Sequence, residues 1–239
     1  MHAPTPKLIP PEILLLAYRS GVFPMADSRE DTEVFWVEPK KRAILPLDGF
    51  HLSKSLAKIV KQDRFSVRVD GDFGAVMTAC AQPRLDHPET WISHTIEASY
   101  RNLHRHNHAH SVECWLGDEL VGGLYGVAFD RVFCGESMFS RADNASKVAL
   151  AWLVALMRRA GYRVLDCQFM TGHLASLGAV EIARADYLDL LANARAAPPA
   201  MSLPQAHAQL LQLSEASSPP DAASSSPGKL IAQSFTQTS

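Results

Sequence analysis

Cysteine is scarce in this chain and scattered. The four present, Cys80, Cys114, Cys134 and Cys167, show no C-x-x-C spacing. That argues against a zinc site or a dithiol redox motif and fits reduced thiols in a cytoplasmic setting. An excess of one charge is also missing, since 23 Lys and Arg stand against 25 Asp and Glu. Any RNA contact must therefore come from a local basic patch rather than from a global field. Long apolar runs are absent too. The longest near the N-terminus, Ile13 to Ala17, is far too short to cross a membrane, and no small-residue cleavage site follows it. A Q-x-x-G-x-G pyrophosphate loop is missing as well, and with it the signature of an acyl-CoA-dependent acyltransferase.

The 239 residues, 47% of them hydrophobic, suffice to bury a sizeable core. Pro10-Pro11 opens a helix over 12–20 that Gly21 stops. Ser53 and Asp72 read as caps of helices ending near Lys61 and Cys80. Ile92, Ile96, Tyr100 and Leu103 form another helical stripe. Strands are expected at 43–47, 65–69, 111–116, 120–129, 132–134, 163–169 and 180–184. Between them fall the clearest helix, 144–160 with Gly161 at its stop, a turn or helix near 173–176, and a helix over 186–194. Helices between strand blocks imply an α+β fold with a mixed sheet. A break near 82–90 divides the chain into a small N-terminal α/β cap domain, 1–82, and a larger domain, 83–196. From about Ala194 the composition shifts to Ala, Ser, Pro and Gln. Residues 197–239 therefore read as a mostly disordered tail, with a transient helix at most over 203–213.

Two segments carry the chemistry. Phe133-Cys134-Gly135-Glu136-Ser137-Met138-Phe139-Ser140 sets a glycine, a carboxylate and a hydroxyl among aromatic and sulfur side chains. A pocket that takes an apolar group and anchors one polar group needs such a mixture. Asp166-Cys167-Gln168 ends an apolar run, and in a strand Asp166 and Gln168 would project side by side. Taken alone, that pair can equally tie a strand to a loop, and the aromatics can simply pack. Glu136 is harder to treat as packing, because a carboxylate among such neighbours needs a partner. Lys54, Lys58 and Lys61 share one helical face. Such a stripe can follow phosphates without reading sequence, or can merely be solvated. His104, His106, His108 and His110 alternate, but they straddle a helix end and a turn with no completing ligand nearby, so no metal site is expected.

Ordered motifs give the chain a family likeness. They are Gly21-Val22-Phe23-Pro24-Met25; Phe35-Trp36 with Pro39 and Arg42; and Cys80-Ala81 with Thr90-Trp91-Ile92. Next come Ala109-His110-Ser111-Val112-Glu113, Leu120-Val121-Gly122-Gly123-Leu124-Tyr125-Gly126, Gly135 to Ser140 and Asn144-Ala145-Ser146-Lys147. Asp166-Cys167-Gln168 and His173 with Ser176-Leu177-Gly178-Ala179 close the series. In this order, from about residue 8 to 192, the chain resembles the leucyl/phenylalanyl-tRNA–protein transferases. Phe35 stands where that family usually has a Trp, and Asn107 and Asp130 stand at usual glycines. Asn and Asp tolerate the left-handed turn that glycine would otherwise supply.

The resemblance implies a small N-terminal domain on a GCN5-acetyltransferase-like fold. It implies transfer of Leu or Phe, and also Met, from aminoacyl-tRNA to the N-terminal Arg or Lys of a protein, which marks that protein for degradation. It places Asp166 and Gln168 at the reaction, with either Gln168 or a ribose hydroxyl of the tRNA handling the proton. It places Trp36, Trp91, Leu124, Phe133, Gly135, Glu136, Ser137, Met138, Leu153 and Leu165 around the aminoacyl-adenosine end. Lys54, Lys58 and Lys61 would meet the tRNA backbone. No cofactor is expected, and the enzyme would be a cytoplasmic monomer. Without the resemblance, a non-catalytic RNA-binding module or a reader of N-terminal Arg or Lys would also account for parts of the pattern.

Overall fold

In a computed structural model, residues 8–83, 89–216 and 226–236 are described. The chain opens with α1 (Pro11–Arg19), then β1 (Phe23–Met25) and β2 (Phe35–Val37), which pair into a small antiparallel ribbon. Next come β3 (Lys41–Leu45), α2 (Lys54–Lys61), β4 (Ser66–Val69), α3 (Phe73–Cys80) and α4 (His94–Arg105). A meander follows: β5 (Ala109–Leu116), β6 (Glu119–Phe129) and β7 (Val132–Ser140). After it stand α5 (Ala145–Ala160), β8 (Val164–Gln168), α6 (Gly172–Ser176), β9 (Val180–Ala183), α7 (Arg184–Ala194), α8 (Leu203–Ala216) and α9 (Pro227–Ser234). The two expected caps form: Ser53 and Asp72 side chains each accept a backbone N–H from the first turn of their helices, and Ser93 caps α4 in the same way.

Seven strands join in one mixed sheet, ordered β4-β5-β6-β7-β8-β3-β9, in which β7 and β8 run parallel and the other pairs antiparallel. One core joins the sheet to α2, α5, α8 and α9, with Leu56, Val60, Leu150, Leu153, Leu210 and Ile231 buried. A second joins it to α1, α3, α4 and α7, with Leu14, Tyr18, Val76, Ile96, Tyr100 and Leu191 buried. Two helical layers thus flank a sheet, the α+β architecture that alternating blocks imply.

Two boundaries need correction. A cut at residue 82 fails, because β3 and β4 lie in the main sheet beside β8 and β5. Only the segment before β3, with α1 and the β1–β2 ribbon, stands outside that sheet. Residues 84–88 of the expected break lie outside the described residues, as do 217–225 and 237–239 of the expected tail. The rest of the tail is not disordered. Helices α8 and α9 bury Leu203, Ala206, Leu210, Ile231 and Ala232 against the sheet's helical layer. The apolar residues are sparse, but they recur at helical spacing, and α2 and α5 supply a surface to cover. Among the described residues, no helix is long and apolar enough to cross a membrane.

Candidate active site

Register makes the cavity. β7 and β8 pair only from Val132–Val164 to Cys134–Asp166, and beyond that the parallel strands are no longer paired. Each strand also slips against its other neighbour there. Tyr125 faces Ser137 and Gly126 faces Gly135, so Glu136 is the extra residue of a bulge in β7. Ile44 faces Asp166 and Ala43 faces Gln168, so Cys167 is the extra residue in β8. A bulge re-aims the side chain it carries, and such bulges cluster beside active sites. Into the resulting gap opens a cavity of about 720 Å³. Seven of the expected pocket residues line it: Leu124, Gly135, Glu136, Ser137, Met138, Leu153 and Leu165. The end of α3 and the α6 turn, with His173 and Leu174, close its sides.

Three expected pocket residues do not line it. Phe133 is fully buried, and its ring fills the space a side chain at Gly126 would need. It points to the face of the sheet that packs on α5. Trp91 is half-buried against the opposite core. Trp36 sits on the β1–β2 ribbon, 43% exposed. Chain order cannot separate these positions from true lining, because a buried or exposed aromatic ring reads the same in sequence as one that lines a pocket.

Glu136 reaches from the cavity wall into a buried polar network. Tyr18 Oη donates to its Oε1 at 2.8 Å, and Tyr100 Oη lies 3.4 Å from Oε2. The two tyrosine hydroxyls also touch each other. Gln168 Nε2 donates to Glu136 Oε2 at 2.9 Å. Burial pushes the Glu136 carboxyl up to about 7, against the hydrogen bonds from Tyr18 and Gln168 that pull it down. Burial and the nearby Glu136 likewise hold Tyr18 and Tyr100 above the ordinary tyrosine value. Tyr125, fully buried beside Tyr100, has a hydroxyl without a hydrogen-bond partner among the described residues.

Behind this lies Asp166, wholly buried. Arg42 Nε donates to its Oδ1 at 2.9 Å and Arg42 Nη2 to its Oδ2 at 2.6 Å, while Tyr187 Oη donates to Oδ2 at 2.9 Å. The guanidinium lies between the rings of Phe23 and Tyr187, 4.7 and 4.6 Å from their centroids. Burial works to lower the Arg42 value, but Asp166 more than reverses this and holds it above the ordinary one. Asp166 therefore has its carboxylate occupied, and neither it nor Gln168 is among the residues that line the cavity; Gln168 reaches the wall through Glu136. Its relation to Gln168 also departs from expectation. The Gln168 side-chain amide goes to Glu136, and it is the Gln168 backbone N–H that donates to Asp166 Oδ1, at 2.8 Å. Gln168 has φ +61°, so the strand alternation breaks just where the two side chains would have lain side by side. Arg42, which the motif series named without a role, is the residue that organises this layer.

Lys54, Lys58 and Lys61 are exposed along α2, opposite the buried Leu56 and Val60. The four histidines do not converge on one point: His104 and His110 both face Asp70, at 3.9 and 2.7 Å, while Nδ1 of His106 lies near Asn102 O and that of His108 near Ala128 O. No cluster of three His, Cys, Asp or Glu suited to a metal occurs among the described residues.

Comparison with known proteins meets this geometry with a family. A model described as leucyl/phenylalanyl-tRNA protein transferase matches residues 44–192, and one for the N-terminal domain of that family matches residues 8–40. The second interval is the segment that stands outside the main sheet. Curated relatives named leucyl/phenylalanyl-tRNA–protein transferase are similar over about four fifths of this chain. That of Novosphingobium aromaticivorans is 64% identical over 80% of this chain and 72% of its own. That of Rhizorhabdus wittichii is 61% identical over 77% and 75%, and that of Rhodospirillum rubrum 54% over 78% and 87%. A solved structure of L-PGS from Bacillus licheniformis shares 14% identity at a TM-score of 0.38, over 69% of this chain and 55% of that one. So slight a likeness supports nothing further. With both parts of the family represented and identities above one half, this chain belongs to the leucyl/phenylalanyl-tRNA–protein transferase family and is an aminoacyltransferase.

Proposed function

We propose that the cavity between β7 and β8 holds the aminoacyl-adenosine end of Leu-, Phe- or Met-tRNA. The acceptor is the N-terminal Arg or Lys of a protein, which is thereby marked for degradation by the N-degron pathway. The enzyme acts as a cytoplasmic monomer. The observation that carries this is a cavity of about 720 Å³, apolar at Leu124, Met138, Leu153 and Leu165, with one buried carboxylate, Glu136, in its wall. An apolar wall takes Leu, Phe or Met alike, because a methylene changes binding by only about 1–3 kcal/mol. Glu136, ionised, receives the donor's α-ammonium group.

The donor ester is already activated, so orientation supplies most of the help, up to about 7–11 kcal/mol. Gln168 donates its NH₂ to Glu136, which leaves its amide oxygen as an acceptor for an N–H of the incoming amine. The amine nitrogen forms a bond to the ester carbonyl carbon, and the bond to the ribose oxygen breaks. The proton lost by nitrogen ends on that ribose oxygen, relayed by the neighbouring hydroxyl, since an amide does not titrate in this range. Asp166 acts through the backbone of Gln168 and is a positioning residue. Trp36 and Trp91 contribute stacking at the cavity's approach, and Lys54, Lys58 and Lys61 follow the acceptor-stem phosphates.

The test is transfer of labelled Phe from Phe-tRNA to an Arg-starting peptide, with Gln168→Ala and Asp166→Asn compared. Loss of one transition-state hydrogen bond predicts about a 10–100-fold slower rate for Gln168→Ala. Near-normal rates in both variants would remove the pair from the mechanism. No transfer by the unaltered protein would sink the reading as a whole.

A further inference from the structure

The match to the family ends at residue 192, yet α8 and α9 lie beyond it and pack on the body. The contact of α9 with α2 is close. A Cβ built on Gly228 would lie 1.9 Å from Val60 O, so only glycine lets the two helices approach there. The start of α9 is not capped by its own Ser226, whose hydroxyl is buried without a hydrogen-bond partner among the described residues. The cap comes from the turn after α2, where Asp63 Oδ1 accepts the Gly228 N–H at 2.7 Å. Asp63 itself has φ +48°. The far end of α9 is fixed as well: Phe235 packs on Phe50, and Arg158 of α5 donates to Ser234 O at 3.0 Å. Helix α2 is eight residues long, too short to hold its shape alone, and one of its faces carries Lys54, Lys58 and Lys61.

We infer that the C-terminal helix α9 positions the basic helix α2 for tRNA, with Gly228 and Asp63 as positioning residues outside the catalytic centre. This rests on the assignment of the lysine stripe to the tRNA backbone. A helix of this length, held by one buried face and its Ser53 cap, frays at its C-terminal end unless that end is packed, and a frayed helix no longer presents three ammonium groups at fixed spacing. The reacting end of the donor sits in the cavity between β7 and β8 and does not touch α9. Loss of the α9 contact should therefore raise KM for the full aminoacyl-tRNA and leave turnover of a minimal donor, a phenylalanyl-adenosine ester, unchanged.

The experiment compares Gly228→Ala, Asp63→Ala and Asp63→Asn in the full chain, with Phe-tRNA and with the phenylalanyl-adenosine ester. Gly228→Ala and Asp63→Ala should raise KM for Phe-tRNA about tenfold, with kcat and the minimal-donor rate within twofold of the unaltered protein. Asp63→Asn keeps an acceptor oxygen and tolerates the positive φ, so it should behave as the unaltered protein. It also separates capping from charge: if Asp63 acted only by repelling RNA, Asn would tighten binding as much as Ala. Unchanged KM in both Gly228→Ala and Asp63→Ala overturns the inference, and so does tighter binding by both Asp63 variants. Equal loss with both donors in Asp63→Ala also overturns it. Replacing Lys54, Lys58 and Lys61 by Gln keeps the two readings apart. If that change leaves KM and its salt dependence unaltered, the lysine assignment fails first; if it raises KM while the α9 variants do not, only the inference fails.

Discussion

Arg42 and Asp166 meet in a two-pronged ion pair in which neither side chain is more than 2% exposed. The pair joins β3 to β8 beneath the cavity floor, and Arg42 Nη1 also donates to Gly21 O ahead of the ribbon. Removing one partner strands the other charge in the interior. Arg42→Met or Asp166→Leu alone should lower unfolding free energy by about 3–5 kcal/mol, read by urea denaturation. The double variant should lose clearly less than the two singles combined, because no charge is left unpaired. An additive loss would mean the two are not energetically coupled.

The sequence showed much of this fold and less of the site. Helix α5 was legible because an apolar stripe runs into a left-handed Gly161. Strand β4 was legible from the alternation of Phe65, Val67 and Val69, and the turns between β5, β6 and β7 from Asp118-Glu119 and Asp130-Arg131. What could not be read was register. The bulges at Glu136 and Cys167 depend on which neighbours pair, and no local pattern encodes that. Hence seven of the ten expected pocket residues line one cavity, while the Asp166–Gln168 relation differs from the expected one. The same reason hid Arg42, whose partner lies 124 positions away. From sequence, helix α8 reads as transient at most and α9 does not read as a helix at all, because a composition of Ala, Ser and Pro signals disorder until a surface exists to cover.

Phe133 and Trp36 should now separate in experiment. Phe133 is a packed core ring, so Phe133→Ala should cost about 3–5 kcal/mol of stability. Trp36 is exposed on the ribbon, so Trp36→Ala should change stability by about 0.5 kcal/mol or less. If Trp36 stacks on the terminal adenine, the same variant raises KM for aminoacyl-tRNA about tenfold or more, the equivalent of about 1–3 kcal/mol of stacking. An unchanged KM takes Trp36 out of the binding site.

Gly135 offers a way to fill the cavity without disturbing the fold. A Cβ there would meet only Asp166 O, at 3.5 Å, which is ordinary contact distance. Glycine inside a strand commonly marks a close approach by a ligand. Gly135→Ala should therefore keep its melting temperature within a few degrees. Transfer of the bulkier Phe should fall about tenfold relative to Leu, since the added methyl narrows the wall. Competition between Leu-tRNA and Phe-tRNA in one reaction reads this directly, and an unaltered ratio would place the amino-acid side chain elsewhere in the cavity.

Glu136 ties pH to both stability and rate. Its folded value, about 7, stands above that of an exposed glutamate, because burial disfavours the charge. The sign follows. The neutral acid is the form the interior prefers, so its contribution to stability is complete below the unfolded value near 4.3 and declines as pH rises through about 7. Glu136→Gln removes that loss while keeping a side chain that can accept from Tyr18. At pH 8 the variant should gain on the unaltered protein by up to about 3 kcal/mol relative to their difference at pH 4. Transfer should show the opposite trend. If the ionised carboxylate holds the donor's ammonium group, the unaltered enzyme gains rate as pH rises through 7, and Glu136→Gln has no such limb near 7. It retains only the rise near 8 that belongs to the acceptor's own α-amine. A pH–rate profile that keeps the limb near 7 in Glu136→Gln would assign it to another group.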